Sequence, residues 1–280
     1  MQSELREMQS EHGDLFGKSL WLQEYYTSFE AAVPGSIWGD CVVKAIADGR
    51  VTDFVIPKTV PVDTGWDLGR TDDTAIWFRQ LVGTEVWVVD HFASAFMDIC
   101  NEEEPEKSLV HVLLRKAKVH GITYGTHYLP HDARPRTLAA GGKSILQQFQ
   151  DAAKKYPALG RFVIGKRLDR QEGIQAGRKT FQWSRFHKTN CDKGLESLKH
   201  YHREWDDENK IFLDSPKHDW ASHDADAWRT LALSYKFPTP ATPDKPIENL
   251  QANALSNGVT FGSLRKLHFA KQRALRQDGH

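Results

Sequence analysis

Three aspartates stand where regular elements end or turn a face outward, and their carboxylates could share one task. Asp67 lies in Trp66-Asp67-Leu68-Gly69, at the end of a β-rich run, and Asp132 in Leu129-Pro130-His131-Asp132-Ala133, just past another. Asp226 lies inside a helical run, Ser222-His223-Asp224-Ala225-Asp226-Ala227-Trp228-Arg229. Adjacent strand ends lie close together in a sheet, and a helix packed on that sheet can point a third carboxylate at the same spot. Three carboxylates in one place repel each other and raise each other's pKa. A hard divalent cation removes that cost, and oxygen ligands suit Mg²⁺ or Mn²⁺. Two such ions about 4 Å apart would stabilise the attacking and leaving oxygens of a phosphodiester displacement. Each acid also has a plainer reading. Asp67 and Asp132 could form turns or caps, and Asp226, beside His223 and Arg229, could form a surface ion pair.

The elements that must position these acids follow from pattern. Residues 60–67, 74–81 and 85–92 read as strands, the last two joined by a Gly83-Thr84 hairpin. Residues 123–129 and 161–165 read as short strands, and 40–48, 103–120, 144–155, 173–181, 193–205 and 219–235 as helices. Hairpin strands followed by strands alternating with helices predict an α/β domain with a mixed β-sheet flanked by helices. The chain divides into a helical N-terminal segment (1–55), this α/β domain (56–236), and a Pro-rich linker with a basic tail (237–280).

The 280 residues are 40% hydrophobic and include nine Trp, which describes a folded chain with a real core. No apolar run approaches the roughly 20 residues of a membrane span. The N-terminus lacks the order of a secretory signal, so a cytosolic protein is expected. Cys41, Cys100 and Cys191 are odd in number and far apart, which suggests neither a disulfide framework nor a CxxC metal site. Basic and acidic residues balance at 37 each, so any DNA-binding face must come from local clustering.

Around the three acids the sequence resembles the nuclease part of the large terminase subunit of tailed bacteriophages. Asp63-Thr64-Gly65-Trp66-Asp67-Leu68-Gly69 with Asp72-Asp73-Thr74-Ala75-Ile76-Trp77-Phe78 resembles the first motif of that family. His127-Tyr128-Leu129-Pro130-His131-Asp132-Ala133 resembles the second, and Ser222 to Arg229 the third, in the family's order over roughly residues 15–235. The resemblance implies an RNase H-like fold, of the type shared with Holliday-junction resolvases and transposases. It implies a metal-dependent endonuclease that cuts concatemeric double-stranded viral DNA during genome packaging. Asp67, Asp132 and Asp226 match the metal-binding acids, Asp72 is a possible fourth, and the acid before Ala-Trp-Arg, Asp226, is preferred over Asp224. It also implies partners: DNA, a portal protein, a small terminase subunit and an ATPase motor domain. The place of action would be the host cytoplasm, transiently the portal vertex of the procapsid.

No Gly-x-x-x-x-Gly-Lys-Ser/Thr phosphate loop occurs, so the chain is expected to supply the nuclease part without ATPase activity. Arg134, Arg136 and Lys143 follow the second acid, and Lys166, Arg167 and Arg170 form another basic cluster, so both are candidates for phosphate contacts. The Gly141-Gly142-Lys143-Ser144 turn could offer free N–H groups at a helix start. His223, three residues before Asp226, could tune the metal site or assist proton transfer. Two other functions fit the same residues: a resolvase or transposase nuclease, and a non-catalytic module docking on a portal or on DNA.

Overall fold

The structure, a computed structural model, describes residues 34–69, 71–135, 142–167 and 169–235, together with residues 6, 9 and 10. The expected helix around residues 21–25, Arg136, the Pro-rich segment and the basic tail lie outside the described residues. In chain order, α1 (Gly39–Ala47) leads to β1 (Val51–Thr52), β2 (Val62–Asp67), β3 (Thr74–Val82) and β4 (Glu85–Ser94). Next come α2 (Leu109–His120), β5 (Tyr124–Leu129), α3 (Ile145–Lys155), β6 (Arg161–Ile164), α4 (Arg170–Trp183) and β7 (Ser184–His187). Then follow α5 (Lys188–His200), β8 (Arg203–Asp206), β9 (Ile211–Pro216) and α6 (Ser222–Leu233). No described helix is long and apolar enough to cross a membrane.

Local chemistry accounts for several boundaries. Val82 pairs with Glu85 across the two-residue turn Gly83-Thr84, where Gly83 takes φ +60°, a conformation that costs glycine little. The Ser108 hydroxyl accepts from the His111 N–H to cap α2. The expected helix from 103 therefore begins only at Leu109, behind a short 3₁₀ turn, Pro105–Lys107. Ser144 and Gln147 close the start of α3 in a reciprocal capping box, so that helix end is capped by the chain itself. The helix expected over 193–205 instead starts at Lys188 and stops at His200. Tyr201 packs its ring 5.4 Å from that of Trp38, and its carbonyl accepts the Ile37 N–H at 2.9 Å, which draws the chain out of the helix. Residues 203–206 then pair with 211–216 as a separate two-stranded sheet.

The main sheet has seven strands in the order β1-β7-β4-β3-β2-β5-β6. β3 runs antiparallel to both neighbours, and the other pairings are parallel. This is the α/β mixed sheet with flanking helices that the sequence pattern predicts. Its first strand, β1, precedes residue 56 and pairs with β7. On one face, Trp77 of β3 packs with Phe181, Phe186 and Trp228 beneath α4 and α6. On the other, Trp66, Phe149 and Phe162 stack beneath α3, with ring centroids 4.7–5.3 Å apart for the Phe149 contacts. Trp66 and Trp228 are fully buried and serve as core.

A polar chain runs through the second core. The Leu159 carbonyl can only accept, so it takes the N–H from Nε2 of His127, 2.5 Å away. Nδ1 then carries the lone pair and accepts the Thr64 hydroxyl at 2.6 Å, while Thr64 Oγ1 accepts the Trp66 indole N–H. Every group is satisfied only while His127 is neutral. Burial accordingly pushes its pKa down to about 4. Between that value and the unfolded value of about 6.5, the unfolded chain binds a proton that the folded chain excludes, so stability falls as pH falls. Urea unfolding at pH 7 and pH 4 should show a loss of about 3 kcal/mol from this group, and His127→Gln should lose that share of the acid sensitivity. An unchanged pH slope in the variant would remove the argument.

β2 and α6 pack closely. A Cβ on Gly65 would sit 2.5 Å from both the Leu231 backbone nitrogen and its Cβ, so helix and strand touch backbone to backbone. Two β3 side chains grip the same helix. The Trp77 indole donates to the Asp224 carbonyl at 2.9 Å, and the buried Arg79 guanidinium donates to the Leu231 carbonyl at 2.9 Å. Gly65→Ala should lower stability by about 1–3 kcal/mol, the usual cost of overpacking. A wild-type melting midpoint for that variant would show that α6 is not seated as described.

Candidate active site

The parallel strands β2, β5 and β6 bring their C-terminal ends to one edge of the sheet, where open α/β sheets commonly place ligands. Asp67 is the last residue of β2. β5 stops at Pro130, which has no N–H to continue a ladder, and the 3₁₀ turn His131–Ala133 displays Asp132. Asp226 projects from the second turn of α6. These three acids line one cavity of about 250 Å³, together with Lys166 and Arg167 after β6 and Arg229 of α6. The structure thus brings the three aspartates chosen from sequence to one place, under a rim of three cations.

The electrostatics show that the acids affect one another. Burial and then the charge of Asp67 raise the pKa of Asp132. Burial raises that of Asp226; Arg229 opposes the rise, and Asp67 adds to it. Asp67 is held by His223, whose Nδ1 lies 2.9 Å from Oδ2. That hydrogen bond, reinforced by the charges of Asp67, Asp72 and Asp73, raises the His223 pKa despite partial burial. Arg229 lies 3.3 Å from Asp226 Oδ1, so the ion pair anticipated as the plain reading of Asp226 exists within the cavity. Gly173 of α4 makes room for it: a Cβ there would meet the Arg229 side chain at 2.8 Å.

Asp224 is committed elsewhere. Its carboxylate accepts from His91 Nε2 at 2.6 Å and from the Ser197 hydroxyl at 2.5 Å, beneath α5. Two positions along a helix are about 200° apart in direction, so Asp224 and Asp226 must face different neighbours. Asp72 is exposed in the turn after β2 and does not line the cavity. Lys143 is paired with Asp151 at 2.7 Å and is also outside the lining. Arg134 is exposed just past the Asp132 turn. Residues that sequence reasoning did not select as functional include Arg229, whose place at i+3 from Asp226 was the available signal, and the clamps Trp77 and Arg79.

The donor set is carboxylate oxygen, the chemistry that hard divalent ions take. The charge of Asp67 acts on both Asp132 and Asp226, and His223 and Arg229 offset the three acids only in part, so the residues fit a cation. Among the described residues no three His, Cys, Asp or Glu side chains already converge into a ligand group. The fit is therefore one of charge and placement.

No protein-family model matches the chain, and no curated protein sequence matches it. Solved structures with similar backbones include the large terminase of a thermophilic bacteriophage in complex with ADP, at 13% identity and TM-score 0.46, covering 68% of this chain and 44% of that one. The nuclease domain of the P22 large terminase is similar at 15% identity and TM-score 0.44, covering 68% of this chain and 89% of that one. The SPP1 large terminase nuclease domain with bound Mn follows at 12% identity and TM-score 0.40, covering 61% and 84%. The chain spans about half the length or less of the whole terminases that it matches.

The raised pKa of Asp132 means that its ionised form costs stability in the metal-free protein, a cost that grows as pH rises through the unfolded value toward the folded one. In EDTA at pH 7, Asp132→Asn should therefore melt above wild type in calorimetry. A lower midpoint would mean that Asp132 is a structural cap.

Proposed function

We propose that this chain is a metal-dependent endonuclease that hydrolyses phosphodiester bonds of double-stranded DNA during viral genome packaging. The observation that carries the reading is the cavity itself: three carboxylates from β2, the turn after β5, and α6, beneath a rim of Lys166, Arg167 and Arg229. A rim of cations attracts a phosphodiester that the acids alone would repel. The acids make the site competent only when a cation offsets their charge.

Asp67, Asp132 and Asp226 would hold two Mg²⁺ or Mn²⁺ ions. Such ions, when bound, lower the pKa of an attacking water and neutralise the leaving 3′ oxygen. The protein's own residues do the remaining work. His223 orients Asp67 through its Nδ1 contact and can exchange a proton there. Arg229 covers Asp226 in the absence of substrate. Lys166 and Arg167, both exposed at the rim, contact phosphate without reading bases, which suits cutting with little sequence preference. No side-chain nucleophile is required. Within packaging, the partners of this reading are an ATPase motor domain, a portal protein and a small terminase subunit, and the place is the host cytoplasm at the procapsid portal. ATP hydrolysis is not assigned to these residues.

The test is cleavage of linear duplex DNA by the purified chain in Mn²⁺. Asp67→Asn and Asp226→Asn should each lower the rate about a hundredfold or more while still unfolding in one cooperative transition, since removing a ligand forfeits several kcal/mol of charge stabilisation. Near wild-type cleavage by folded variants would overturn the assignment.

A further inference from the structure

Three cations line the cavity that holds the acids. Lys166 and Arg167 are exposed, while Arg229 is half-buried and held against an acid. Its Nη1 lies 3.3 Å from Asp226 Oδ1, three positions back on the same helix. That separation exceeds the roughly 2.7–2.9 Å of a charge-assisted hydrogen bond. Partly exposed ion pairs of this kind add little to stability, so the contact is easily given up.

The fold nonetheless makes a place for this side chain. Gly173 stands inside α4, where glycine costs a helix backbone entropy that alanine would not. A Cβ there would sit 2.8 Å from Arg229 Cδ and 2.9 Å from its Cγ. The bare backbone of α4 thus forms a slot for the aliphatic stem of Arg229. The stem is seated, and the guanidinium at its end reaches the cavity and Asp226.

A guanidinium on a carboxylate repels a divalent ion that approaches the same carboxylate, and the repulsion scales with the ion's double charge. The planar fork of a guanidinium also matches the oxygens of a phosphodiester. One seated side chain can therefore serve both partners in turn. We propose that Arg229 is the resident counter-ion of the cleavage site: it neutralises Asp226 before metal binds, yields that carboxylate to the incoming divalent cation, and turns its freed guanidinium to the DNA phosphate. The inference rests on the nuclease reading and adds an order of events to it, metal first and phosphate second.

The experiment compares the full chain with Arg229→Gln, which keeps part of the stem and removes the charge. Calorimetric titration with Mn²⁺ should show about tenfold tighter binding in the variant, because the ion no longer displaces a cation. Duplex DNA affinity, read by fluorescence anisotropy in Ca²⁺, should instead fall about tenfold, the usual worth of a charge-assisted contact. Lys166→Gln should weaken DNA binding but change Mn²⁺ affinity less than about twofold, since its exposed charge is screened. A residue that only oriented Asp226 would give weaker Mn²⁺ binding when removed. A measurement on the wild-type chain needs no variant: the ¹⁵N-labelled Arg229 Nε–Hε signal should move as Mg²⁺ saturates the site. Unchanged or weaker Mn²⁺ binding in Arg229→Gln, unchanged DNA affinity, or an Arg229 signal unmoved at saturating Mg²⁺ would each overturn the proposal. Wild-type Mn²⁺ binding that is absent, or that survives both Asp67→Asn and Asp226→Asn, would sink the cation site itself, and the role of Arg229 with it.

Discussion

The bare backbone of Gly65 lets α6 lie directly on β2, and the geometry of the site depends on that contact. A side chain at this position would hold the helix away from the strand. With the gap closed, Asp226 on α6 and Asp67 at the end of β2 line the same cavity. Trp77 and Arg79, two residues apart on β3 and so on one face of the sheet, then fix the helix by its Asp224 and Leu231 carbonyls. A small residue creates the approach, and two large donors fix its register.

That register divides two neighbouring aspartates between two roles. Asp224 turns into a buried network with His91 and Ser197, while Asp226 enters a cavity where its charge is only partly offset. Asp67 acts on both Asp132 and Asp226, so the cavity stores electrostatic cost that a cation would relieve. His223 and Arg229 each hold one acid meanwhile. Stability given up in this way is common where a site is built to bind something.

Much of the sheet was legible because its strands are long, apolar and punctuated. β3 carries buried residues on both faces, and Gly83 marks its turn. The three acids were legible because each follows or interrupts such a run. The β8–β9 hairpin was not legible: its turn is Asp207, Glu208, Asn209 and Lys210, without glycine, and Asp206 organises it by accepting the N–H groups of Glu208 and Asn209. β7 has four residues between two helices, too short for an alternating pattern to register. Lys143 and Lys166 looked alike as basic residues near a motif, yet only Lys166 lines the cavity, because strand order, which composition does not encode, places β6 beside β5. Asp224 and Asp226 could be ranked only through resemblance, since the partners that separate them, His91 and Ser197, lie far away in sequence.

The proposed function requires Asp67, Asp132 and Asp226 to form a cation site. The most direct measurement is anomalous diffraction from a crystal of this chain soaked in Mn²⁺. Two peaks are expected within coordination distance of these three carboxylates, with Asp224 still bound to His91 and Ser197. Peaks confined to other carboxylates, or none at a concentration that supports cleavage, would contradict it.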